Sequence, residues 1–338
     1  LTIDCLVTFH VSRFTFHVSR FTLHVSRSTM NTNPHIITLP TDSVERPLHE
    51  VLASHVAAAV AGPMLARGGI WLDGVRVNDG ATPVPPGALL VLRYPPAEGY
   101  REVELTDADL LYEDAWIVAL HKRAGWYSGA TPWDTQGNAL AAVGRFLARR
   151  DGVKPPLHLA HQLDRDTSGV LLISRNPEAN APLYKAFSSS TIEKVYRCVC
   201  TGEPTEDAFE LRTGHGRGAS GRWRVYPLEE IGQVLPGGSR VKLAHSLFHV
   251  ERRLGGAALV TARLHTGRTH QIRLHMAAAG YSLLGDTRYG GPASFGGQHV
   301  PFHMLHAEWL RLNHPLSGER LELHAPLPAH FKRLGIDE

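Results

Sequence analysis

The chain has 338 residues, 43% of them hydrophobic and 20% charged, which suits a globular protein with a sizeable core and more than one domain. Three cysteines exclude a disulfide framework and favour a reducing, cytoplasmic setting, and no apolar run is long enough for a membrane span. A net charge of +3 is weak evidence of a nucleic-acid partner, and the 21 histidines are scattered without metal-ligand spacing.

Residues 1–29 are unlike the rest. Phe9-His10-Val11-Ser12-Arg13-Phe14-Thr15 is copied almost unchanged as Phe16 to Thr22 and again as Leu23 to Thr29. Exact copying makes this seven-residue period, not the apolar a/d spacing of a coiled coil. The sequence opens at Leu1 and its first methionine is Met30. The expectation is a translated stretch of repetitive DNA upstream of a start at Met30. An organellar transit peptide, rich in Ser and Arg and poor in acid, is the competing reading.

A small module is expected over residues 41–95. Asp42 or Ser43 can cap a helix with Pro47 in its first turn. Val44, Leu48, Val51, Leu52 and Val56 recur at helical spacing. A second short helix ends near Arg67-Gly68-Gly69. Ile70-Trp71-Leu72 and Val75-Arg76-Val77 flank Asp73-Gly74, a two-residue hairpin signal. Ala88 to Leu92 reads as a further strand. Two helices, a hairpin and a closing strand resemble an S4-type RNA-binding module. That resemblance makes Arg46, Arg67 and Arg76 phosphate-facing candidates, though each can equally be solvated surface. Pro95 to Gly99 reads as a linker.

The larger domain is expected over residues 102–330. Leu110 to Tyr112 and Trp116 to Leu120 form a strand pair around Glu113-Asp114. Lys122 follows as a residue that can face an RNA backbone. Asn138 to Arg150 reads as a helix with Leu140, Val143 and Leu147 inward and Arg145, Arg149 and Arg150 on a solvated face. Next comes His161-Gln162-Leu163-Asp164-Arg165-Asp166-Thr167-Ser168-Gly169, a polar turn running into the apolar strand Val170 to Ile173. Carboxylates, histidines and an arginine at the edge of a core have easily shifted pKa values. Asp164 there can be structural, pairing with Arg165 or capping the turn, or it can be catalytic.

Ala181 to Ser188 reads as a helix and Lys194 to Cys200 as a strand, with Cys198 and Cys200 buried on one face. Residues 201–245 read as a Gly, Pro and Arg rich loop. Its Arg212, Arg217, Arg222, Arg224 and Trp223 could wrap phosphates and stack a base, or make no contact. In Leu264-His265-Thr266-Gly267-Arg268-Thr269-His270-Gln271-Ile272-Arg273, Thr269 can cap a helix that stops at Gly280. Leu284-Gly285-Asp286-Thr287-Arg288-Tyr289-Gly290 supplies tight turns. His303 to Leu312 and Leu321 to Leu323 read as closing strands.

Three of these blocks, His161 to Leu172, Lys194-Val195-Tyr196 and His265 to Arg273, resemble in order the signature of the RluA-type pseudouridine synthases. The resemblance covers about residues 105 to 328. It implies an α+β fold, a mixed and largely antiparallel sheet with helices, preceded by the small S4-like module. It makes Asp164, Tyr196 and Arg273 catalytic: the aspartate as nucleophile, the tyrosine beside the target base, and the arginine holding the aspartate ionised. Arg268 is the runner-up for the arginine's role, or a phosphate contact. Substrate contacts are expected from Gln162, Leu163, Arg165, Thr167, Arg268, His270 and Gln271.

The implied reaction isomerises uridine in structured RNA, ribosomal RNA before transfer RNA, with no membrane involved and the protein acting as a monomer. It needs no redox or energy input, so no cofactor and no metal are expected. The base must be flipped out of its stack. Asp164 would either attack the sugar or first remove a sugar proton. Gln162 departs from the family arginine that displaces the base, and Arg165 is a candidate to compensate. Two other classes compete. One is an idle RNA-binding protein of the same fold. The other is a glycoside hydrolase that uses Asp164 with Asp166.

Overall fold

The computed structural model describes His10–Val11, Phe14–Thr15, Ile36–Leu39 and residues 44–189 and 191–336. Apart from one two-residue strand pair, His10–Val11 with Phe14–Thr15, the repetitive stretch lies outside the described residues.

The N-terminal module contains β1 (Ile36–Leu39), α1 (Leu48–His55), α2 (Ala58–Arg67), β2 (Ile70–Leu72), β3 (Val75–Val77) and β4 (Leu90–Arg93). Its antiparallel sheet runs in the order β1-β4-β2-β3. Asp73 and Gly74 both take positive φ, 48° and 80°, the conformation a primed hairpin turn requires. Leu48, Val51, Leu52, Met64, Ile70, Leu90 and Leu92 form its core.

Two expectations need correction here. α1 starts at Leu48, after Pro47 as its N-cap, so Val44 precedes the helix and is exposed; Asp42 and Ser43 lie outside the described residues. A proline at the N-cap loses nothing, because its missing N–H has no helical acceptor there. Arg67 and Arg76 do not face outward to phosphates. Arg67 pairs with Glu102 and with Asp134 (3.2 Å), and Arg76 donates to the Thr131 carbonyl (2.7 Å) while covering the Trp71 ring. They fasten the module to the segment 131–136 of the larger domain.

The larger domain is built on one large sheet, beside which Ser294–Phe295 and Gln298–His299 form a separate short pair. Its strands are β5 (Leu110–Glu113), β6 (Ile117–Lys122), β7 (Ser168–Ser174), β8 (Glu193–Thr201), β9 (Ala208–Arg217), β10 (Trp223–Tyr226), β11 (Lys242–Arg253), β12 (Ala257–Leu264), β13 (Leu305–Asn313) and β14 (Arg320–His324). The order is β10-β9-β11-β12-β8-β13-β7-β6-β5, with β14 on β13 and a short strand at His158–Leu159 on β7. β7 and β13 run parallel; the other pairs are antiparallel.

Alternation along the central strands explains their unbroken apolar runs. Val118, Leu120, Leu171 and Ile173 pack under α3 (Ala139–Asp151), while Ile117, Ala119, Val170 and Leu172 pack under α4 (Asn180–Ser188). Cys198 and Cys200 share a buried face with Ile272 and Met276 of α5 (Gln271–Ala278).

The stretch 201–245 is not a loop throughout. Much of it is the ladder β9-β10 and the start of β11, because its glycines lie inside strands where neighbours approach closely: Gly214 and Gly216 sit against Val241 and Leu235. The arginines expected outward on α3 are engaged rather than merely solvated. Arg145 donates to the Val103 carbonyl (2.8 Å), and Arg149 and Arg150 pair with Glu104 and Glu113.

Candidate active site

The turn after His158–Leu159 is held from below by the segment that follows β6. Lys122 was read as facing RNA, but it is fully buried. Its Nζ donates to the Thr167, Arg165 and Arg123 carbonyls at 2.8, 2.9 and 3.1 Å. Three acceptors match the three N–H donors of an ammonium. Burial pulls the Lys122 pKa down to about 7, against the pull of Asp166 and Asp164. Ser128, also buried, donates to the Leu163 carbonyl (2.7 Å) and accepts the Leu163 N–H (3.0 Å). Residues 163 to 167 are thus pinned at the backbone on both sides of Asp164.

Arg273 reaches Asp164 from α5. That helix begins at Gln271, with His270 as its N-cap in the left-handed region at φ 57°. Thr269 is therefore not the cap. The sharp bend at His270 turns the first helical residues into the site. Arg273 Nη1 donates to Asp164 Oδ2 at 2.9 Å, while Nε and Nη2 form a fork to Asp286 at 2.7 and 2.8 Å. Arg273 is 6% exposed and Asp286 2%. Burial opposes the guanidinium's charge, but the bonds and charge of Asp286, with those of Asp164, more than offset it and hold Arg273 protonated.

Asp286, which anchors Arg273, is the member of this constellation that the sequence did not single out. Its signal lay in Leu284-Gly285-Asp286-Thr287-Arg288-Tyr289-Gly290, a stretch that follows the family pattern and whose glycines suit tight turns, but in which Asp286 itself is given no role. Gly285 has φ 77°, and a side chain there would collide with the Phe302 carbonyl. The tight turn therefore fixes where Asp286 points.

His270 Nε2 lies 3.7 Å from Asp164 Oδ1, and His270 Nδ1 shares a hydrogen with the Tyr289 hydroxyl at 2.7 Å. Burial lowers the His270 pKa to about 4, outweighing the pull of Asp164, so the ring is neutral at pH 7. Thr167 Oγ1 and His303 Nε2 are 2.8 Å apart beneath the turn. Burial, with the charge of Asp164 adding, raises the Tyr196 phenol, so it stays protonated.

Above this support lies a cleft of about 610 Å³, and Arg273 stays behind its wall rather than lining it. Asp164, Tyr196, Leu163, Thr167, Gln162, Arg268, His270 and Gln271 all line it. Gln162 is exposed at the rim. Gln271 is spent internally: its amide donates to Ser246 and to the His245 carbonyl, and accepts from Thr266 and Arg268. Arg165 is not brought to the cleft. It forks onto Asp166 at 2.7 and 3.0 Å and lines a crevice beside Tyr127 and Arg101. The adjacent pair thus engages itself, not Asp164.

A profile of the RNA pseudouridylate synthase family matches residues 117–278. RNA pseudouridine synthase 1 of Arabidopsis thaliana is 36% identical over 256 residues, 66% of this chain and 76% of that protein. An uncharacterised RNA pseudouridine synthase of Chloroflexus aurantiacus is 33% identical over 304 residues, 88% of this chain and 91% of the relative. Among solved structures, human RNA pseudouridylate synthase domain containing 4 superposes with a TM-score of 0.56 at 22% identity, covering 68% of this chain and 94% of that one. That last likeness is one of fold.

Proposed function

Because the chain belongs to the RNA pseudouridylate synthase family, we propose that Asp164 is the nucleophile with which it isomerises a uridine held in the cleft. The activity is RNA pseudouridine synthesis, an isomerisation on an RNA substrate. In it the N1–C1′ bond breaks, a C5–C1′ bond forms, and the C5 proton is exchanged for one on N1.

The observation that carries the assignment is the bond to cleft-lining Asp164 from Arg273, which is buried behind it and anchored by buried Asp286. A carboxylate that must attack a sugar carbon has to be ionised and aimed; a fixed guanidinium does both. The protonated Tyr196 phenol and its ring supply the wall on which the uracil stacks, and Leu163, in the same apolar cluster, lines the cleft beside it. Base flipping cannot rest on a charge at position 162, because Gln162 offers only hydrogen bonds.

The glycosidase reading requires Asp166 as a partner to Asp164. Asp166 is engaged by Arg165 away from the cleft, so isomerisation is favoured. The N-terminal module, with its S4-like order of helices, hairpin and closing strand, supports ribosomal RNA over transfer RNA as the substrate.

Pseudouridine mapping of total RNA by carbodiimide treatment and primer extension tests the assignment in cells lacking the gene. One missing site should return with the wild-type gene and not with Asp164→Ala. Restoration by Asp164→Ala would remove Asp164 from the mechanism.

A further inference from the structure

We propose that Lys194 and Arg268 together form a phosphate clamp in the cleft wall, taking a phosphodiester of the RNA strand beside the target nucleotide. The proposal rests on the reading that the cleft receives RNA and names the group it grips there.

Lys194 stands two residues before Tyr196 on β8, so the strand's alternation puts both on the face that lines the cleft. The neighbouring Glu193 points the other way, to Arg311 at 2.9 Å. Lys194 is 7% exposed, yet among the described residues its ammonium has no ion pair and no hydrogen bond. Its Nζ lies 3.7 Å from where a side chain on Gly267 would begin, against the bare backbone of the Thr266-Gly267-Arg268 turn.

Arg268 lines the same wall. Its Nε donates to the Leu243 carbonyl at 2.9 Å, which fixes the guanidinium, and among the described residues no carboxylate faces its remaining N–H groups. Four other partly or fully buried arginines of this domain face an acid, Arg165 with Asp166, Arg197 with Glu308, Arg273 with Asp164 and Asp286, and Arg311 with Glu193, and Arg145 spends its guanidinium on the Gln136 and Val103 carbonyls. The acid of the cleft, Asp164, is already taken by Arg273.

Two half-desolvated cations with no counterion are costly to hold close together. Burial weakens the charge of both, and the charge of Arg268 weakens that of Lys194 further. A bound anion relieves all of these effects at once. The substrate carries one phosphate per nucleotide, and a compact ammonium beside a fixed guanidinium suits a phosphodiester monoanion. The clamp also supplies the cleft with the positive charge that Gln162 does not.

The test uses the full chain and a fluorescein-labelled oligouridylate of about 12 nucleotides. Lys194→Met keeps the aliphatic stem and removes the charge. It should weaken binding about tenfold near 0.1 M salt and flatten the slope of log K against log salt by about 0.7, the value of one single-strand phosphate contact. Lys194→Arg should restore both. Arg268→Gln should flatten the slope likewise. Affinity and slope unchanged in a folded Lys194→Met protein would overturn the clamp. Tritium release from [5-³H]uridine-labelled total RNA by the wild type is read separately: its failure would count against the activity, not against the clamp.

Discussion

Arg273 shows how little freedom the Asp164 carboxylate has. One guanidinium edge is committed to buried Asp286 and one nitrogen to Asp164, whose other side faces the cleft. Asp286→Ala would leave Arg273 buried with a single exposed-side partner, and breaking a buried pair costs about 3–5 kcal/mol. Chemical denaturation should read that loss, together with a fall in turnover; a variant as stable as wild type would mean the fork is not formed. Ser128 makes a smaller but sharper case. Ser128→Ala leaves the buried Leu163 N–H without its acceptor, at about 1–3 kcal/mol. The same substitution should loosen Asp164, so the single-turnover rate should drop while RNA affinity holds. A lowered midpoint with an unchanged rate would make Ser128 structural only. Of these residues, Asp164, Tyr196 and Arg273 were legible because they lie in recognisable blocks. Ser128 and Lys122 were not, because they act on backbone groups that no side-chain pattern announces, and Asp286 was not, because its stretch signals only tight turns.

At the level of elements, the parallel pairing of β7 with β13 sets the position of the Asp164 turn. Gly169 makes that pairing possible. Its φ is 117°, and a side chain there would strike the Ala307 carbonyl across the ladder. Gly169→Ala should therefore cost about 3 kcal/mol or more, strain and collision together. Normal expression and an unshifted melting midpoint would contradict this. Most strands and helices were readable from period and turn residues, β6, β7, α3 and α4 above all. The ladder β9-β10 was not. Its glycines and arginines look like loop composition, and only the packing of Leu235, Val241 and Tyr226 against the glycines shows why they stay extended. The start of α5 was missed for a similar reason. A histidine in the left-handed region carries no capping signature, so Thr269 looked the better candidate.

For the molecule as a whole, buried neutral histidines set the acid limit. His161 Nε2 accepts the Leu172 N–H at 3.0 Å, which a protonated ring could not do. Burial lowers His161, His270 and His275 to about 4 each, from an ordinary value of 6.5. A histidine whose folded value is depressed leaves stability intact above pH 6.5 and drains it as pH falls from 6.5 toward 4, because the unfolded chain takes up protons first. Each such site contributes at most about 3 kcal/mol to that loss. Urea midpoints at pH 7.5 and pH 5 should differ accordingly; equal midpoints would mean the rings are already charged in the folded protein.

The N-terminal module adds a second whole-molecule consequence. It is fastened to residues 131–136 by Arg67, Arg76 and the Trp71 indole, whose Nε1 donates to the Pro132 carbonyl at 2.8 Å. Residues 131–136 lie between Ser128 and α3, so the module abuts the same segment that pins the aspartate turn. The sequence suggested a module joined by the linker Pro95 to Gly99, and that linker gave no hint of the docking. The docking arginines carry the same composition that a phosphate-binding face would.

The central claim is that Asp164 carries out an isomerisation in this cleft. Tritium release from [5-³H]uridine-labelled RNA, by wild type and by Asp164→Asn, tests it most directly, since forming the C5–C1′ bond expels the C5 hydrogen. Release by the wild type and none by Asp164→Asn, with RNA binding retained, is the predicted result. Release by Asp164→Asn at the wild-type rate would contradict it.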